Sequence, residues 1–144
     1  KKQAHAYINR ISGPLIDRFD IQVEVAPVEY EHLSSGAKEE SSEAIRERVQ
    51  AAREIQQKRF AGTDITCNAM ITPDILHDVC PMTDEASVML KNVFEKMGLS
   101  ARAYDRILKV ARTVADMEGE EVIGKSHIAR AVQFRSLDRK YWSE

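Results

Sequence analysis

From about residue 41 to residue 137 the apolar residues of this chain recur at helical spacing, and this periodicity constrains the fold more than any other feature. Local signals divide the run into separate helices. Thr72-Pro73-Asp74 is typical of a helix start, because it supplies a cap, a proline at the first position and an acid in the first turn. Gly98 and Gly119 follow apolar stripes and are typical of helix ends. The pattern predicts a bundle of four or five helices around one core.

The first predicted helix begins at Ser41 or Ser42 and runs to about Phe60. The apolar face that we expect it to bury carries Ile45, Val49, Ala52 and Ile55. Thr83 and Ser100 are the predicted caps of two further helices, and a last short helix follows. The core-facing residues of these later helices are expected to be Ala86, Met89, Leu90, Val93, Phe94, Met97, Tyr104, Ile107, Leu108, Ala111, Val114, Ala115, Ile128, Ala131 and Val132.

One segment before this run has the pattern of a strand. Ile21, Val23 and Val25 alternate with polar residues, which is the period of a half-buried strand, and Pro27 ends the alternation. A single strand does not make a sheet, so we expect its partners either in the rest of a longer protein or in a second copy of the chain. The chain begins at Lys1 without an initiator Met, which favours a piece of a longer protein.

The composition argues against several classes of protein. The 144 residues carry 21 Lys and Arg against 23 Asp and Glu, so no overall basic excess indicates nucleic acid. No apolar run approaches the roughly 18 residues of a membrane span, and no signal peptide is visible. Cys67 and Cys80 form neither a disulfide framework nor a zinc-ligand pattern. We therefore expect a soluble, cytoplasmic protein with reduced thiols and no membrane partner.

The motifs of self-contained active sites are missing from the sequence. It contains no G-x-x-x-x-G-K-[ST] phosphate loop, no G-x-G-x-x-G and no H-E-x-x-H. The four histidines have no metal-ligand spacing, and we interpret each as an exposed or capping residue: His5, His32, His77 and His127. We expect no metal site in this chain.

A row of cations is the first candidate for chemistry. Arg102, Arg106 and Lys109 follow one another at helical spacing opposite an apolar face, and Arg112 lies three residues further on. One interpretation is a solvated charged face. The other is that one or more of these arginines reach a phosphate, because guanidinium offers a planar charged fork that matches phosphate oxygens. Helical spacing does not decide between the two.

Arg18 is the second candidate. It lies between Asp17 and Asp20, immediately before the predicted strand. Two interpretations remain open. Arg18 forms a local ion pair with one of these acids, or it is presented to a neighbouring subunit.

Four segments carry a resemblance to a known family. They are ISGPLIDRFDIQVEV (11–25), SSEAIRERVQAAREIQQKRF (41–60), LSARAYDRILKVARTVAD (99–116) and IARAVQFRSLDRKYW (128–142). In this order they resemble the C-terminal part of the ComM or YifB family. These proteins are magnesium-chelatase-like ATPases of the AAA+ class, related to the magnesium-chelatase ATPase subunits and to the MCM helicases. The resemblance spans essentially the whole chain.

The resemblance implies a division of the chain into three parts. Residues 1–28 would be a short helix-strand remnant at the end of an AAA+ α/β core. The polar residues 29–40 would be a linker, and residues 41–144 the helical lid, known as the magnesium-chelatase C-terminal domain. The expected fold class is therefore mainly α, a helical bundle preceded by that remnant.

The resemblance also implies a function for the longer protein. It would be a homo-hexameric ATPase that uses ATP and Mg²⁺ and couples ATP hydrolysis to DNA remodelling or branch migration. Two alternatives remain, an ATPase motor subunit of a metal chelatase and a stand-alone helical interaction module. The Walker A and Walker B motifs would lie upstream, so this chain alone is expected to bind neither ATP nor Mg²⁺.

Two residues take roles from the resemblance. Arg18 matches the arginine of the L-x-x-R-F-D arginine finger, which acts in trans on the γ-phosphate of ATP bound by the adjacent subunit. Arg102 matches the sensor-2 arginine at the start of a lid helix, which contacts the γ-phosphate from the lid. Arg106 is the alternative for the sensor-2 position.

We predict that the 144-residue chain alone does not hydrolyse ATP, because it lacks the phosphate loop and the acidic metal-binding motif. Phosphate release by the purified chain should equal that of buffer. A parallel preparation carrying Arg18→Ala controls for contaminating ATPase. Turnover above background that disappears in the Arg18→Ala variant would contradict the prediction.

Overall fold

A computed structural model describes residue 15, residues 18–28, residue 30 and residues 39–135. Within these ranges the chain forms the helices α1 Ser42–Arg59, α2 Leu76–Val79, α3 Asp84–Met97, α4 Ala101–Glu118 and α5 Lys125–Gln133, with a 3₁₀ turn, Asn68–Met70, between α1 and α2. The described residues contain no strand, and the predicted mainly α fold class is confirmed. None of these helices has the length and apolarity that crossing a membrane requires.

Side-chain caps and glycines set the helix ends largely where the sequence predicts them. The hydroxyls of Ser41, Thr83 and Ser100 each accept a hydrogen bond from the backbone N–H three residues further on. Gly98 and Gly119 end α3 and α4 with φ angles of 59° and 75°, in the left-handed region where other residues are strained. These local signals therefore fix the boundaries of α3 and α4.

The predicted start of α2 is wrong by a few residues. Thr72 does not cap the helix; its carbonyl instead accepts a hydrogen bond from the N–H of Ile75, which closes a turn first. The helix then begins at Leu76, and its N-cap residue makes no side-chain capping bond. A turn with proline at an early position uses the same residue types as a capped helix start, which explains the error.

Helix α4 lies at the centre of the bundle. It packs against α1, α2, α5 and the 3₁₀ turn, while α3 packs against α5. The buried core formed in this way consists of Phe60, Ile71, Leu76, Cys80, Ala86, Leu90, Ile107, Leu108, Ala111, Ala115, Ile123, Ile128 and Ala131. Most of the residues predicted to face the core on α4 and α5 belong to this cluster.

The predicted buried face of α1 is only partly confirmed. Ile45 and Val49 are each 40% exposed, whereas Ala52 and Gln56 in the second half of the helix are buried. The apolar stripe runs along the whole helix, but the rest of the described bundle covers only its second half. Helical spacing identifies such a face without showing whether anything lies against it.

The predicted strand over residues 21–25 is not formed. Val23 and Val25 are 63% and 85% exposed, and the segment has no strand pairing. The N–H of Gln22 donates to the carbonyl of Phe134, at the end of α5, over 2.8 Å. A strand requires a hydrogen-bonded neighbour, and none of the described residues supplies one.

A buried polar network crosses the bundle around Asp116. Its carboxylate accepts hydrogen bonds from Nη1 and Nη2 of Arg59, from Nε of Arg112 at 3.1 Å and from the amide of Asn68 at 2.7 Å. Arg112 is 1% exposed, so the interpretation of the row of cations as a solvated charged face does not hold for this residue. Burial lowers the pKa of Arg112, and the negative charge of Asp116 opposes that shift.

The network also satisfies the remaining donors of these side chains. Arg112 donates to the carbonyls of Glu120 and Glu121, just beyond the end of α4. The Asn68 side chain accepts from Arg59 and donates to the Thr113 hydroxyl, each over 3.0 Å. The charges are therefore both paired and hydrogen-bonded, which is the condition under which buried charges are tolerated.

We predict that Asp116→Ala strongly destabilises the chain, by about 3–5 kcal/mol, because it leaves two guanidinium groups without their anion inside the protein. The matched control is Glu40→Ala, which also removes one carboxylate but from an exposed pair with Arg48. That variant should change the free energy of unfolding by about 1 kcal/mol or less. Urea unfolding of both variants measures the difference, and equal losses would contradict this role of Asp116.

We predict that the two cysteines react very differently with alkylating reagents. Burial raises the pKa of the Cys80 thiol to about 11, whereas Cys67 is partly exposed. At pH 8 in the folded chain iodoacetamide should modify Cys67 at least about tenfold faster than Cys80, since the thiolate is the nucleophile. Peptide mass mapping over time measures this, and the difference should vanish in urea. Equal rates in the folded chain would argue against the burial of Cys80.

Candidate functional site

Arg102 lies in the first turn of α4, two residues after the cap Ser100, and is exposed. The first turn of a helix presents backbone N–H groups and the positive end of the helix dipole. A guanidinium at this end of α4 is therefore in a setting that favours an anion.

Arg106 lies one turn further along α4, on the same side of the helix as Arg102. Its guanidinium forms an ion pair with the carboxylate of Asp20, and 24% of the Arg106 side chain is exposed. Asp20 thus pairs with a residue 86 positions away in the sequence. The other acid considered for Arg18, Asp17, lies outside the described residues.

The chain around Arg18 is held against the helical bundle by two further contacts. The buried guanidinium of Arg135 donates to the carbonyl of Phe19 over 3.1 Å. The N–H of Gln22 donates to the carbonyl of Phe134. Arg18 itself is exposed. The segment that carries Arg18 therefore lies beside the part of α4 that carries Arg106.

The structure divides the predicted row of cations on α4. Lys109 donates to the carbonyl of Ala69 over 3.3 Å, and Arg112 belongs to the buried network around Asp116. Arg102 is the exposed member, and Arg106 is engaged by an acid. The i, i+4 spacing of Arg112 and Asp116 was the sequence signal for the buried pair.

A cavity of about 420 Å³ lies between the 18–22 segment and the helices. Asp20 and Ile21 border it on one side. The helical side is mainly apolar and also carries two cations; its lining includes Val110, Val114, Met117, Phe134, Lys109 and Arg130. The segment thus spans a gap beside α4 instead of packing closely on it.

The sequence analysis interprets His127 as either exposed or capping, and in the structure it is a buried capping residue. Its Nδ1 accepts from the N–H of Gly124 over 2.9 Å, so Nε2 carries the proton and donates to Glu118 over 2.8 Å. Glu118 also accepts from Arg130. These bonds hold the start of α5 to the end of α4. Within the described ranges no group of three or more His, Cys, Asp or Glu side chains is arranged to hold a metal ion.

Comparison with known families decides what kind of bundle this is. A family model described as magnesium chelatase, subunit ChlI C-terminal, matches residues 39–135. The chain belongs to this family. A second model, described as magnesium chelatase, subunit ChlI, matches residues 1–33. The match of residues 1–33 ends and the match of residues 39–135 begins within the predicted linker, residues 29–40.

Individual relatives agree with the family match. Competence protein ComM of Haemophilus influenzae is 40% identical over 139 residues, which cover 96% of this chain and 26% of the relative. The uncharacterized protein YifB of Escherichia coli is 37% identical over 139 residues, which cover 96% of this chain and 27% of the relative. The predicted resemblance to the C-terminal part of ComM or YifB proteins is confirmed. The chain spans about a quarter of the length of these relatives.

Proposed function

We propose that residues 41–144 form the lid of a ComM-like AAA+ ATPase, that residues 1–28 are the end of its α/β core and that residues 29–40 link the two. The observation that carries the proposal is the match of the magnesium-chelatase C-terminal family to residues 39–135, which covers every described helix. The separate match of residues 1–33 supports the placement of the boundary.

The proposed role of the lid is to couple ATP binding and hydrolysis to DNA remodelling or branch migration in a cytoplasmic homo-hexamer. Support for ATP and Mg²⁺ comes from the family, and support for a DNA substrate comes from the resemblance to ComM proteins. The name of the matched family favours one alternative, an ATPase motor subunit of a metal chelatase. ATPase stimulation of the full-length protein by forked DNA, against stimulation by a porphyrin and its chelatase partners, separates the two.

The described residues fit the phosphate part of ATP. Arg102 is exposed at the positive end of α4, and Arg18 is exposed on the neighbouring segment. Guanidinium groups suit phosphate oxygens, whereas Mg²⁺ prefers carboxylate, carbonyl and water oxygens. We therefore assign phosphate contacts to these arginines, Arg18 as the finger and Arg102 as sensor 2, and assign Mg²⁺ to residues of the longer protein.

We predict that Arg18→Ala in the full-length hexamer lowers ATP turnover by roughly 10³–10⁵-fold and leaves nucleotide binding largely intact. A finger that acts in trans meets the charge that develops on the transferred phosphoryl group, so its loss affects the transition state more than the bound ground state. Arg102→Ala should instead weaken nucleotide affinity and the response of the lid to nucleotide. Steady-state ATPase assays and nucleotide titrations measure both effects.

The control is Arg53→Ala, which removes an exposed arginine of α1 and should change neither quantity. A mixing experiment tests the action in trans. Subunits with Arg18→Ala and an intact phosphate loop should regain turnover when mixed with subunits that keep Arg18 but lack the phosphate-loop lysine. Mixed hexamers that assemble without recovering turnover would show that Arg18 does not act across the subunit interface.

A further inference from the structure

Among the described residues, three polar contacts join the 18–22 segment to the bundle, and all three lie within four residues after Arg18. Asp20 pairs with Arg106 on α4. The Phe19 carbonyl accepts from Arg135, and the Gln22 N–H donates to Phe134. The contacts therefore join this segment to α4 and to the end of α5.

Apolar burial contributes little to this attachment. Phe19 and Ile21 are 52% and 54% exposed, and the cavity beside α4 lies under Asp20 and Ile21. Arg135, in contrast, is 1% exposed. The contact with the Phe19 carbonyl is thus made by a buried charged group, and such hydrogen bonds are stronger than those between neutral groups. The position of the segment is thus determined by ionic and hydrogen-bonding partners.

We propose that Arg106 and Arg135 are positioning residues that fasten the 18–22 segment to the lid, so that Arg18 moves together with α4. This inference rests on the proposed function. Arg106 acts through Asp20 and does not serve as the phosphate sensor, which leaves that role to Arg102. Because the attachment joins the finger segment to the lid of its own chain, a change in the angle of this lid displaces the Arg18 that is offered to the neighbouring subunit.

The attachment itself is tested in the 144-residue chain by hydrogen exchange of the backbone N–H of Gln22. Arg106→Ala and Asp20→Asn should each accelerate this exchange about tenfold or more, because the loss of a charge-assisted contact lets the segment open. The exchanged pair, Asp20→Arg with Arg106→Asp, should restore slow exchange. The amide of Leu108 in the core of α4 should stay protected in every variant, which shows that the bundle is folded.

Lys91→Ala is the matched control, since it removes a cation from an exposed pair with Glu95 on α3 and should leave Gln22 unchanged. Unchanged exchange of Gln22 in both Arg106→Ala and Asp20→Asn would overturn the attachment. Restoration of slow exchange by the exchanged pair supports it. The buried Arg135 is left intact in these variants because its removal endangers the fold.

The consequence for the finger is tested in the full-length hexamer. Arg106→Ala and Asp20→Asn should both lower kcat at least about tenfold with little change in nucleotide affinity, and the exchanged pair should recover turnover. If Arg106 contacted phosphate, Arg106→Ala would weaken affinity, Asp20→Asn would not reproduce its effect and the exchanged pair would fail. That combination would overturn the proposal.

The two proposals fail in different ways. Full turnover in Arg18→Ala would overturn the finger assignment, while the exchange of Gln22 would still report the attachment. Loss of turnover in Arg18→Ala together with unchanged Gln22 exchange in Arg106→Ala would overturn the attachment alone.

Discussion

The carboxylate of Asp116 is the interaction on which the arrangement of the bundle depends. It gathers Arg59 from the end of α1, Arg112 from its own helix and Asn68 from the 3₁₀ turn. Replacing a buried ion pair by apolar residues is often neutral, so such a network is better explained by the single arrangement that it selects than by added stability. The network matters most for the position of α1, because just two residues of that helix, Ala52 and Gln56, are buried.

The parts of the fold that local signals control were predictable from the sequence. Caps such as Thr83 and Ser100 act within one helical turn, and the stripes of α4 and α5 bury most of the residues expected of them. Two of the failures share one physical reason, which is dependence on a neighbour far away in the sequence. Val23 and Val25 form no strand because the described residues offer no partner, and Ile45 is exposed because nothing described lies against it.

The candidate site divides in the same way. The roles proposed for Arg18 and Arg102 rest on the family resemblance, since neither composition nor spacing distinguishes a phosphate-contacting arginine from a solvated one. The contact between Asp20 and Arg106 could not be predicted, because it joins residues 86 positions apart that carry no shared motif. The burial of Arg112 was not predicted although Asp116 lies four residues further on, because i, i+4 ion pairs also occur on solvated helix faces.

Helix α4 connects the two polar systems. Its 18 residues span about 27 Å. Arg106 in its first half holds the 18–22 segment, and Arg112 and Asp116 in its second half hold α1 and the chain beyond Gly119. Each attachment is made by ion pairs or by hydrogen bonds from a charged group, so α4 does not turn relative to the segment or to α1 without breaking them. If the bundle is the lid that we propose, it would therefore rotate as a unit. A force on Arg102 at the start of α4 would be transmitted to the segment that carries Arg18, while the buried network keeps the rest of the bundle aligned with α4.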